Sequence, residues 1–144
     1  MSTFEEILKK DGKLIYTTKG VSMQPMLYQN RDVVVIEVPQ GRLQKYDVAL
    51  YRRGSSYVLH RVIGVNEDGT YSIRGDNTYS IEIVPESAVM GVLTAFVRDR
   101  KPHQVTDSDY RRYVKLWCAA YPLRHFYVRA KGKARRAAKK ILRR

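Results

Sequence analysis

The sequence predicts a mostly β domain, a coiled antiparallel sheet or partly open barrel, with a short helix before it and a basic helical tail behind it. Three observations predict this. Six runs rich in β-branched and aromatic residues lie between residues 13 and 97. Gly, Asn and Asp turn signals punctuate them, the pattern of many short strands in a barrel or coiled sheet. Beyond Asp109 the apolar spacing changes from two to three and four, which is helical.

Each element has its own reason. "STFEEILKK" reads as a short helix, with Ser2 as N-cap, Glu5 completing a capping box and Asp11-Gly12 ending it. "KLIYTTKG" (13–20), "DVVVIEV" (32–38), "DVALYRR" (47–53), "SYVLHRVIGV" (56–65), "TYSIRG" (70–75) and "VMGVLTAFV" (89–97) read as strands. "RGSS" and "NEDGT" supply turns, the second a good hairpin turn, and "RGDN" at 74–77 marks a bend. Tyr110, Val114, Trp117 and Tyr121 share one helical face, Pro122 breaks or kinks that helix, and "ARRAAKKIL" predicts a second basic helix. Two segments follow: a β domain over 1–109 and a basic aromatic-rich tail over 110–144.

The formal net charge of +13 is unevenly placed. Residues 1–110 hold 14 Lys and Arg against 14 Asp and Glu, whereas residues 111–144 hold 13 Lys and Arg and no acid. The body is therefore no general polyanion binder, and the tail carries the excess. Trp117, Tyr121, Phe126 and Leu116 interleave with that charge, which predicts contact with an anionic membrane surface ahead of nucleic acid. "LWCAAYPL" is too short to span a bilayer, and "MSTFEEILKK" lacks the apolar core of a signal peptide. Cys118 stands alone, so no internal disulfide forms. The expected location is the cytoplasm, with the tail at the inner face of the membrane.

The chemistry centres on "TTKGVSMQPML". Ser22 follows a strand and precedes a Met-x-Pro turn, a place where a hydroxyl is held rigidly. A serine needs a base to become a nucleophile. His60, in mid-strand on the face of Val58 and Val62, has the right basicity near neutral pH. Imidazole needs an orienting partner, and "RGDNTYSIE" offers Asp76 and Glu82. Taken singly, each is an ordinary turn or strand residue; together they form a Ser-His-acid order. His103 and His125 read as solvated. No Cys/His cluster has metal-ligand spacing and no Gly-rich phosphate loop occurs, so no metal or cofactor is expected.

The series "GVSMQPML", "RDVVVIE", "DVALYR", "VLHRVIGV" and "IRGDN" resembles the signal peptidase and repressor-autoprotease superfamily of serine peptidases over roughly residues 13–98. The resemblance implies a coiled, mostly β fold and a nucleophile at Ser22 in a Ser-Met-x-Pro box. It implies a base on a later strand, here His60, as in the endoplasmic-reticulum and archaeal branch. It also implies an acid at Asp76, a second at Glu82, and a substrate with small residues before the cut. Gly20 stands where the family often has a serine that helps bind the oxyanion, so backbone N–H groups, including that of Ser22, would serve alone. Arg31 and Tyr46 replace two family glycines, and the anchor of true signal peptidases is missing. The expected function is a serine endopeptidase. A non-catalytic peptide-binding module on the same fold is the alternative. A repressor-like autoprotease fits less well, because only 21 residues precede Ser22 and no helix-turn-helix fits in them.

Overall fold

The computed structural model describes residues 3–142. The chain divides into two compact units between Arg111 and Arg112. In the first, helix α1 (Phe4–Asp11) precedes eight strands: β1 (Lys13–Thr17), β2 (Val33–Glu37), β3 (Val48–Arg53), β4 (Ser56–Val65), β5 (Thr70–Arg74), β6 (Glu82–Pro85), β7 (Val89–Arg98) and β8 (Lys101–Gln104). A 3-10 turn, Glu86–Ala88, links β6 to β7.

The helix starts one residue later than expected. Thr3, not Ser2, is the N-cap: its hydroxyl accepts from the Glu6 N–H at 3.2 Å, and the Glu6 carboxylate accepts from the Thr3 N–H at 3.3 Å. Glu6 thus takes the box position expected of Glu5, and Ser2 lies outside the described residues. Gly12, left-handed at φ 70°, stops the helix as expected.

All strand pairs are antiparallel, in the order β1-β2-β7-β3-β4-β5-β6. The two end strands do not pair, so the sheet is open. β7 pairs with β3 through Val89–Val92 and with β8 through Ala95–Arg98. Central β3 buries Val48, Ala49, Leu50 and Tyr51 in succession, so that part of the sheet is covered on both faces. Leu43, Ala49, Tyr51, Val62, Tyr71, Ile73 and Val84 form one core cluster. β1 ends at Thr17, three residues before the expected limit, because Gly20 takes a left-handed φ of 83° and the chain turns. β6 and β8 went unread: β6 has four residues, and β8 ("KPHQ") has no apolar alternation to read.

In the second unit, helix α2 (Ser108–Ala119), which begins in the first unit, runs to a break at Ala120, and α3 (Tyr121–Leu142) follows. Pro122 lies in the first turn of α3, where its missing N–H has no intrahelical partner to lose. α3 therefore begins well before the expected "ARRAAKKIL". Across the break, the Arg124 guanidinium lies 3.9 Å from the Trp117 ring centroid and donates to the Trp117 carbonyl. Tyr113 stacks on Trp117, with 6.0 Å between ring centroids. Among the described residues, no helix is long and apolar enough to cross a membrane.

Candidate active site

Ser22 sits on the loop between β1 and β2, and the residues after it explain its rigidity. Met23, Met26 and Leu27 are buried, so the turn is pinned from below while Ser22 stays half-exposed. Backbone bonds close the turn: Gln24 N–H to Val21 O at 3.2 Å and Leu27 N–H to Met23 O at 2.9 Å. Asp32, fully buried, gathers the N–H groups of Tyr28 at 2.7 Å and Asp99 at 3.0 Å, with the Arg31 guanidinium at 2.8 Å. Burial pushes its pKa up, but these bonds outweigh it, and the carboxyl is held below its ordinary range. Arg31 is thus a partner of Asp32. Tyr46 adopts the left-handed φ of 82° that a glycine would favour.

His60 faces this loop from β4. β5 pairs Arg74 with Arg61, so continuing that register sets Gly75 opposite His60. A Cβ on Gly75 would lie 2.7 Å from the Ser22 carbonyl oxygen and 3.0 Å from His60 Nε2. The Ser22 carbonyl and the Nε2 edge of His60 therefore flank a position that only glycine fills. The next two residues stitch the loops together. Asn77 N–H donates to Ser22 O at 2.8 Å and its side-chain amide to Val21 O at 3.0 Å, while Asp76 N–H reaches Met23 Sδ at 3.4 Å.

Alternation decides where Asp76 points. Gly75 shares the face of His60, so Asp76 takes the face of Arg61. Its two oxygens accept from Arg61 Nε at 2.8 Å and Nη2 at 2.9 Å, in a buried bidentate pair. Arg61 also donates to the Tyr46 carbonyl at 2.8 Å and the Tyr110 hydroxyl at 3.0 Å. Glu82 accepts from Arg53 Nε at 2.9 Å and Nη2 at 2.7 Å, and from the Tyr51 hydroxyl. Tyr51 presents an edge to His60 with ring centroids 6.4 Å apart. Among the described residues, no hydrogen bond joins His60 to Ser22, Asp76 or Glu82. The acids expected to orient His60 by direct contact act on it through space instead.

Those fields set the charge of the site. Burial lowers the His60 pKa below the usual histidine value, the Arg53 charge lowers it further, and Glu82 and Asp76 pull it back. His60 is therefore neutral at neutral pH, the form that accepts a proton. Hydrogen bonds from Arg53, more than those from Tyr51, hold the Glu82 carboxyl low against its partial burial. Burial and then Glu82 push the Tyr51 phenol up, so it stays a donor.

Ser22 and His60 line one cleft of about 720 Å³. The run from Tyr16 to Gly20 borders it, as do Ser56–Leu59 and Phe4, whose ring stacks on Tyr57 at 4.4 Å and packs on Tyr16 at 4.8 Å. Thr18 also lines it, and its buried hydroxyl has no hydrogen-bond partner among the described residues. Sequence reasoning did not single out Arg53, Tyr51 or Thr18, and it quoted Arg61, Gly75 and Asn77 only within motifs, with no role of their own. Arg61 was the legible one: a strand neighbour of His60 on a face bound for the core needs an acid. Among the described residues, no cluster of His, Cys, Asp and Glu could hold a metal ion.

Set against known proteins, the chain matches no family model and no curated protein.

Proposed function

We propose that this chain is a serine endopeptidase of the signal peptidase type, acting in the cytoplasm on an extended peptide segment. The reading is carried by one observation: Ser22 and His60 line a single cleft, with the Ser22 carbonyl and the His60 Nε2 edge on either side of Gly75. Ser22 Oγ attacks the scissile carbonyl carbon as His60 Nε2 takes its proton. His60 then gives that proton to the leaving amine, and water releases the acyl group from Ser22 by the same two steps in reverse roles. Asp76 and Glu82 favour the imidazolium that forms between them, by charge rather than by contact. The backbone N–H of Ser22 is the donor toward the oxyanion, since Gly20 has no side chain to offer.

Two strand edges support an extended substrate. β1 ends the sheet, and β4 from Ser56 to Leu59 pairs with β3 alone. Both runs border the cleft, so a peptide entering it as a strand meets open backbone groups. Substrate must also bring Ser22 and His60 into hydrogen-bond range, as free enzymes often leave such contacts long.

The missing Ser22–His60 bond favours a second reading, a peptide-binding module without catalysis. A fluorophosphonate probe separates the two. The peptidase reading expects covalent labelling at Ser22 that Ser22→Ala abolishes. Unlabelled wild-type protein, or equal labelling of the variant, refutes it.

A further inference from the structure

α3 has a use that the cleft does not explain. Its 22 residues contain eight Lys and Arg and no acid. Leu123, Phe126, Tyr127, Ala130, Ala134, Ala137, Ala138 and Ile141 follow the three-and-four spacing of a single face, while Val128 and Leu142 fall off it. The large ones stand in water: Leu123 is 74% exposed, Phe126 73%, Tyr127 64% and Ile141 72%. Arg129, Arg135, Arg136 and Lys139 lie across the helix from them, and Arg124, Lys131, Lys133 and Lys140 flank the stripe.

We infer that α3 is an interfacial helix that lies along an anionic lipid surface, with Leu123, Phe126, Tyr127 and Ile141 sunk among the acyl chains. Two observations select this partner. A helix without a single carboxylate complements a negative surface along its whole length of about 33 Å. The apolar stripe needs a hydrophobic phase beside that charge, and a bilayer surface offers both. A nucleic acid would engage the basic face and leave the stripe in water. Long Lys and Arg stems beside the stripe reach up to headgroup phosphates while their methylenes stay apolar. The anchor differs in part from the expected one. Of the residues expected to face lipid, Phe126 and Leu116 are exposed while Trp117 is covered by Arg124, and Tyr127 is a further exposed aromatic.

The test uses the full chain and vesicles of equimolar phosphatidylglycerol and phosphatidylcholine, with pure phosphatidylcholine vesicles and duplex RNA in parallel. Sedimentation with the anionic vesicles is expected, and weak sedimentation with the neutral ones. Leu123→Glu/Phe126→Glu should lower the anionic partition at least about tenfold, from the apolar area withheld. Lys139→Gln/Lys140→Gln should lower it by roughly 5-fold per charge. A third variant, Trp117→Phe/Phe126→Trp, leaves one tryptophan at the stripe; its emission should shift blue and be quenched by brominated acyl chains. Four results overturn the inference: equal binding to neutral vesicles, a Leu123→Glu/Phe126→Glu variant within twofold of wild type, no quenching at position 126, or RNA binding without vesicle binding.

Discussion

Gly75→Ala adds one methyl group between the Ser22 carbonyl and His60. The new carbon would lie 2.7 Å from the Ser22 carbonyl oxygen, 3.0 Å from His60 Nε2 and 3.1 Å from His60 Cδ2. The first is a backbone atom, already held by Asn77 N–H at 2.8 Å, so it yields only if the Ser22 loop moves. The imidazole is pressed the other way. Gly75 is not among the left-handed glycines, so alanine adds steric conflict without backbone strain. Overpacking costs about 1–3 kcal/mol, and the stiffer unfolded chain returns about 0.4–1 kcal/mol. Stability therefore falls modestly. A displacement of about 1 Å between nucleophile and base costs on the order of 10²-fold in rate. Probe-labelling rates at Ser22 and urea midpoints, measured on the same preparation, separate the two effects. Gly132→Ala is the control: it lies within α3 with open space around it and should not slow labelling. A Gly75→Ala protein that labels within threefold of wild type refutes the placement of Ser22 against His60.

Labelling should rise with pH to a plateau, with its midpoint below the usual histidine value of 6.5, because burial disfavours charged His60. Folding stability carries the same sign: the unfolded state binds the proton more readily, so stability falls as pH drops through the unfolded value. Glu82→Gln leaves the Arg53 charge unopposed and should move the labelling midpoint to lower pH; a shift upward, or none, contradicts the assigned field. Asp76→Ala strands Arg61 in the core and should destabilise by about 3–5 kcal/mol, whereas Asp76→Leu with Arg61→Met should recover most of that loss. Urea midpoints decide it, and a double variant no better than the single one refutes the buried pair as the cause.

The strands of the core were legible because their causes are local. The β-branched and aromatic run of "SYVLHRVIGV", the Asp-Gly turn at 68–69 and the cap-and-glycine frame of α1 each act within a few residues. What the residues do to one another was not local. The sequence put Ser22, His60 and the "RGDN" bend in a recognisable order, and it showed all the excess charge behind residue 110. Only the paired strands decided that Gly75 faces His60 while Asp76 turns to Arg61, a one-residue difference that sends adjacent side chains to opposite faces. Only the packing around the cleft decided that Glu82 holds Arg53 and Tyr51, and only the helix break at Ala120 decided that Arg124 covers Trp117 and leaves Phe126 in water. The physical reason is range. Alternation, caps and turns are set by neighbours along the chain, whereas the partner of a buried charge is whatever distant residue the sheet brings to it.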